Sequence, residues 1–392
     1  MRTCMVFLTL FLFLNNVSNA QAAWTEGPTG QRFFSGIPLS CADVNGDGVD
    51  DLIILDQAKH LWLGLHDGIS RFFWISLPYH QTFAAWSVNV ADIDNNGWND
   101  ILISGESTGL VVLYQTAGNF IPRVADARYF FSQAAAAYDI NQDGWLDFTL
   151  CDDNNATRIY LNNGAGELEY DTALINLTLP EAGKSGGNYG CIWSDYDRDG
   201  DGDLYLSKCR AGVDDPKDAR RINLHYVKDS AGWTERGAYN GVDVSDQSWV
   251  SLMEDFDRDG LFDLLVVNHY TPCRIFHQKP DHRFEERTAE SGLEFSAIAI
   301  QAVPGDFDND GDIDVLLTGN TVELWLNDGQ MRFTKADLHP GDRRFSSCAA
   351  GDFNGDGWLD VYASYADLLN TPNNQHDRLW LNPGGSHHHA GF

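Results

Sequence analysis

Seven stretches of this chain carry side-chain oxygens at alternate positions in one repeated order, and that order suits a hard divalent cation. The unit is Asp-x-Asp/Asn-x-Asp/Asn-Gly-x-x-Asp, and its copies run Asp43–Asp51, Asp92–Asp100, Asp139–Asp147, Asp195–Asp203, Asp255–Asp263, Asp306–Asp314 and Asp352–Asp360. Numbered one to nine, each copy offers ligands at positions one, three, five and nine. These are Asp43, Asn45, Asp47 and Asp51; Asp92, Asp94, Asn96 and Asp100; Asp139, Asn141, Asp143 and Asp147; and Asp195, Asp197, Asp199 and Asp203. The last three copies supply Asp255, Asp257, Asp259 and Asp263; Asp306, Asp308, Asp310 and Asp314; and Asp352, Asn354, Asp356 and Asp360. A loop that curls back on itself brings these side chains to one point, and the glycine at position six permits the positive φ that the curl needs. The carbonyl of position seven adds a further oxygen. Six or more hard oxygens select calcium over softer metals and over the smaller magnesium. The expectation is up to seven structural calcium ions.

Closely packed calcium-solenoid repeats need much shorter periods than these units, and two further readings of the loops compete. An EF-hand needs flanking helices and Glu at position twelve. Here position twelve is Ile54, Ile103, Leu150, Leu206, Val266, Leu317 or Ala363, each inside an apolar run, which excludes it. The second is that the loops are Asx-type turns that hold no metal. Composition bears on that choice. Of 45 Asp and 12 Glu, 24 Asp occupy ligand positions, a bias to the short carboxylate that a merely acidic surface would not show. The net charge of −31 argues against nucleic acid as a partner.

The elements that must position these loops repeat with them. Position two is always apolar or aromatic, and position ten opens an apolar run such as LIIL, ILIS or LLVV. Later in each unit come two more strand-like runs joined by a Gly or Asn turn, as in IYLNNGAGELEY. First Asp residues are 46 to 60 apart, the length of one four-stranded propeller blade. The expected fold is all-β: a single seven-bladed β-propeller over 23–392, with one Asp-rich calcium loop per blade. Small residues before each loop, such as Ala134–Ala137, suit inner strands crowded around an axis. The seventh unit lacks a last strand. A strand near Trp24–Gly27 would close the ring; the rival is His387–Phe392.

The loops and their context, for example GDFDNDGDIDVLL and GDFNGDGWLDVYA, resemble the FG-GAP/VCBS repeat family, whose repeats also build integrin α-chain propellers. The resemblance covers nearly the whole chain after residue 22. It implies calcium in the loop between the first two strands of a blade, and an extracellular recognition, adhesion or scaffold role. The departures are Asn45, Asn96, Asn141 and Asn354 in place of Asp, and the presence of qualifying loops in all seven units. Nothing resembles the downstream domains of integrins, so integrin function is not carried over.

Residues 1–22 read as a signal peptide: Arg2, the apolar run Met5–Leu14, then small residues at Ser18, Ala20 and Ala22. The expected location is therefore secreted, periplasmic or at the cell surface, with no membrane span. Of the six cysteines beyond it, Cys191 and Cys209 flank one loop and are a candidate pair. Asn155 and Asn176 head glycosylation sequons.

Partner recognition is expected on the face opposite the Asp loops, by an extracellular protein or glycan. Trp86, Tyr189 and Trp249 fall at one offset before their loops, near the expected channel mouth. Arg220 and Arg221 lie in a long basic link, Cys209–Arg221, where the alternative is pairing with Asp214, Asp215 and Asp218. No local catalytic motif occurs, so the chain is read as a non-enzyme. A lectin or polysaccharide lyase is the competing class, since propeller sites assemble from distant loops.

Overall fold

Each Asp loop joins two strands that pair antiparallel, and each pair extends outward into a four-stranded sheet. The computed structural model describes residues 23–69, 71–80, 84–106, 109–295, 298–336, 338, 345–365 and 375–384. Residues 1–22, the tail 387–392 and most of the link 365–377 lie outside the described residues. The inner strands of blades one to seven are Ser35–Ala42, Ala85–Ala91, Ser132–Tyr138, Asn188–Ser194, Ser248–Glu254, Ala299–Gly305 and Ser347–Gly351. Successive inner strands touch, and that of blade seven touches that of blade one, so the ring is closed.

The second strands, such as Asp51–Asp56 and Asp263–Asn268, are buried on both faces because a blade packs against a neighbour on each side. That is why they read as unbroken apolar runs rather than alternating ones. Seven hydrophobic clusters form, one at each junction between blades. The position-two residues, Val44, Ile93, Ile140, Tyr196, Phe256, Phe307 and Phe353, are at most 3% exposed and each plugs one junction.

Polar braces cross five of the junctions. Gln115, Asn162, Gln278, Asn327 and Asn382 sit at or near the end of a third strand. Each donates a side-chain N–H to the position-two carbonyl of the preceding blade, at 2.7–3.2 Å. Blade seven takes its fourth strand from the other end of the chain: Thr25 pairs with Leu381 and Glu26 with Trp380. Glu26 also pairs with Arg378. Asp377 fastens the same seam, accepting from the Ser35 backbone N–H at 3.0 Å and its hydroxyl at 2.5 Å, and from the Tyr362 hydroxyl at 2.9 Å. The N-terminal strand thus occupies the closing position. All six described cysteines are free thiols, so Cys191 and Cys209 are not bonded here.

Candidate metal centres and the opposite mouth

All seven Asp loops emerge where the inner strands end, on one face of the ring, and share one backbone course. Position six has φ between 84° and 94°, as its glycine requires. Position four is also left-handed, with φ of 53–76°, although five of its seven residues carry side chains: Asn95, Gln142, Arg198, Arg258 and Asn309. Three of those side chains reach the next loop. Gln142 donates to the Gly200 carbonyl at 2.7 Å, Asn309 to that of Gly357 at 3.0 Å, and Arg258 to that of Asp310 at 3.2 Å. The position-one carboxylate accepts from the position-six N–H in every loop, at 2.8–3.2 Å.

Position nine has a role the motif alone does not reveal. Its side chain is at most 1% exposed in all seven blades. One oxygen accepts a third-strand backbone N–H in every blade, at 2.7–2.9 Å. The other accepts the position-two N–H in six blades, at 2.9–3.1 Å. This Asp therefore clips loop, first strand and third strand together. Burial, only partly offset by those donors, pushes Asp51 and Asp100 up to about 6, Asp314 and Asp360 to about 7, and Asp203 and Asp263 to about 8. Asp147 is raised for the same reason.

The side chains divide the loops into two sets. In blades one, three and seven, position three is Asn, and its amide donates to the position-five carboxylate: Asn45 to Asp47, Asn141 to Asp143 and Asn354 to Asp356, at 2.9–3.0 Å. In blades two, four, five and six, position three is Asp. There, carboxylate oxygens of three loop residues lie within 4.8 Å of one another: Asp92, Asp94 and Asp100; Asp195, Asp197 and Asp199; Asp255, Asp257 and Asp259; Asp306, Asp308 and Asp314. Blade four is the extreme. One oxygen each of Asp195, Asp197, Asp201 and Asp203 is buried without a hydrogen-bond partner, as is one of Asp255 in blade five. Orphaned buried carboxylate oxygens are costly, and a cation is the ligand that satisfies several at once. In blade five an imidazole joins the set: His277 Nδ1 is 3.1 Å from Asp257 and 3.2 Å from Asp263.

The opposite face is built by irregularities in the inner strands. Six of the seven have a register shift near their start. The residues at the shift include Ile37, Trp86, Gln133, Tyr189, Trp249 and Ile300, and all six line one axial cavity of about 260 Å³. A bulge re-aims a side chain, and here it turns successive blades toward the axis. Trp249 stacks on His269 at 4.3 Å and lies 5.4 Å from Tyr189; His269 in turn meets the exposed Tyr270 at 4.2 Å. Trp86 packs edge-on against Phe131. The structure thus brings Trp86, Tyr189 and Trp249 together. Arg220 and Arg221 are not among the residues lining the cavity. Arg220 pairs with Asp218 at 2.8 Å, and Arg221 donates to the carbonyls of Val213, Asp214 and Ser245.

The architecture defines a class: propellers whose blades each carry an Asp loop between their first two strands. The FG-GAP-like repeat family matches residues 43–103, 139–206, 255–317 and 306–363, spans that contain all seven loops, and the chain belongs to that family. It is similar to cartilage acidic protein 1 of Mus musculus, 22% identical over 357 residues, covering 86% of this chain and 49% of that protein. The Homo sapiens protein of the same name is 21% identical over 360 residues, covering 86% and 48%. The chain spans about half the length of these curated relatives. Among solved structures it is similar in fold to BBS1N in complex with ARL6DN, soaked with mercury (TM-score 0.57, 8% identity, 92% of this chain and 97% of that one). A lead-soaked crystal of the same complex gives a TM-score of 0.53 at 9% identity, covering 93% and 98%.

Proposed function

We propose that this chain is an extracellular, calcium-braced recognition module whose aromatic axial mouth receives a protein or glycan partner. The observation that carries the reading is the convergence of Trp86, Tyr189 and Trp249, each at an inner-strand bulge, on one cavity. Flat aromatic faces suit apolar side chains and sugar rings alike. A fold neighbour was solved in complex with a protein, which supports a protein partner. We read the role as non-catalytic: a lyase needs a base beside its sugar, the titratable side chains among the described residues lining this mouth are Tyr189 and Cys191, and burial holds the Tyr189 phenol well above its ordinary range.

Calcium belongs to the loop face and acts on stability. We rank the loops by donor set: blades four, five and six with four carboxylates, then blade two, then blades one, three and seven, where the Asn amide must first release its carboxylate. Sites of about 10⁻⁴ to 10⁻³ M affinity each add about 0.4–1.4 kcal/mol at millimolar calcium. Chelation should therefore lower the melting temperature. Location outside the cytoplasm rests on residues 1–22, and mass spectrometry of the mature N-terminus should find cleavage after Ala20 or Ala22. No helix of the described residues is long and apolar enough to cross a membrane.

The test is a protein and glycan array probed with and without calcium, followed by Trp249→Ala. Weaker binding at unchanged calcium content is expected. A partner footprint on the Asp-loop face would overturn the assignment.

A further inference from the structure

We infer that the blade-five loop is a mixed nitrogen–oxygen site for a borderline first-row divalent ion of the cobalt, nickel and zinc class, with His277 as a ligand. The inference rests on the reading that this loop holds a cation. It departs from that reading in which cation the loop prefers.

The first observation is positional. In each blade the residue just before the third-strand N–H that clips position nine can be compared. It is Leu65, Tyr114, Leu161, Val227, Leu326 and Leu381 in six blades, and His277 in blade five. Six blades thus place an apolar or phenolic side chain where blade five places the one imidazole. The second observation is geometric. His277 is 20% exposed, Asp257 22% and Asp263 0%, and their donor atoms all lie within 4.8 Å of one another. His277 Nδ1 stands 3.1 Å from Asp257 and 3.2 Å from Asp263, so one nitrogen and two carboxylate oxygens already face one another. The third is chemical. Asp255 has a buried oxygen with no hydrogen-bond partner at the same loop. A cavity of about 280 Å³ opens onto Asp257 and His277, with room for the waters that complete a six-coordinate shell.

Imidazole nitrogen favours first-row transition ions over calcium and magnesium, which bind oxygen. Without the ion, a proton on Nδ1 makes the two short contacts hydrogen bonds. Binding the ion requires the Nδ1 lone pair, so the proton held there passes to Nε2 or to solvent.

Cobalt(II) serves as the probe, titrated into the full chain in millimolar calcium and read by its d–d absorption and by metal content after desalting. One cobalt per chain is expected. His277→Leu, which installs the residue type of four other blades, should weaken cobalt at least about 100-fold, since loss of a ligand exceeds the 10–100-fold cost of a supporting residue. His277→Asn keeps a hydrogen-bond donor toward Asp263 and repeats the test should the leucine variant not fold. Wild-type protein that holds no cobalt in calcium excess, or variants that hold it as tightly, would overturn the inference. Calcium content of the same samples is scored separately, so a chain that binds cobalt but no calcium fails the calcium reading and leaves this one standing.

Discussion

Loops three and four share one backbone path and meet opposite demands. In both, position one accepts from the position-six N–H and position nine accepts from the third strand. In loop three, Asn141 closes the remaining gap by donating to Asp143. In loop four, Asp197 stands at that position, and four buried carboxylate oxygens have no hydrogen-bond partner. The shape of an Asp loop is thus set by backbone donors gathered onto positions one and nine. Its need for a cation is set separately, by the side chain at position three.

The largest expected effect tests the shared part. Asp147→Ala strips two buried backbone N–H groups of their acceptor, at about 1–3 kcal/mol each. Denaturant melts should show a loss of about 2–6 kcal/mol in chelator, and up to about 1.4 kcal/mol more in calcium because Asp147 is also a ligand position. A loss that vanishes in chelator would mean that the ion, not the backbone clip, had been lost.

Next in size are two exchanges across the comparison. Asp197→Asn gives loop four the side chain of loop three. It should stabilise the calcium-free protein, since burial and the neighbouring Asp199 hold the Asp197 carboxyl above its ordinary range. In calcium the same change should destabilise. Asn141→Asp should do the reverse and add calcium affinity at loop three, read by calorimetry. If neither sign inverts with calcium, position three does not decide which loops need an ion.

The smallest effect lies outside both sets and serves as their baseline. Burial against Trp249 lowers the pKa of His269. The folded ring therefore stays neutral below the unfolded value of about 6.5, where the unfolded chain takes up a proton. Relative to His269→Phe, the wild type should lose stability modestly as pH falls below about 6.5, and because the raised loop carboxylates titrate alike in both proteins, that difference should be the same in calcium and in chelator. A difference that appears in only one of the two would trace it to the loops instead.

Much of the frame was legible in the sequence because its signals are local. The nine-residue motif marks each first turn, its spacing counts the blades, and the orphan segment at Trp24–Gly27 points to the closing strand. What escaped depends on partners far along the chain. Asp203 meets Lys228 across 25 residues, while Asp314 meets Asn327 across only 13. No fixed window captures both. The braces from Gln115 or Asn162 were visible as polar residues ending apolar strands, and aligning the seven units on their third strands would have exposed them. The division of the loops could have been read from Asn45, Asn141 and Asn354. Seeing what an amide does there required the Asp47, Asp143 and Asp356 carboxylates in place. Arg220 reads from the sequence either as a free charge in a basic link or as a partner of Asp214, Asp215 or Asp218, and Asp218 engages it.

The seam at blade seven also has a timetable. Ser35 meets Asp377 across 342 residues, and Glu26 meets Arg378 across 352. At about 5–20 residues per second, roughly 20–70 s of synthesis separate the two halves of that seam. Throughout that interval Thr25–Glu26 has no partner strand, and when Arg378–Leu381 arrives it fits the waiting segment of a neighbouring nascent chain as well as its own. Tethering favours the chain's own segment, and crowding favours the neighbour's. The final strand pairing that makes each ring a monomer is therefore also the one by which two chains could exchange strands.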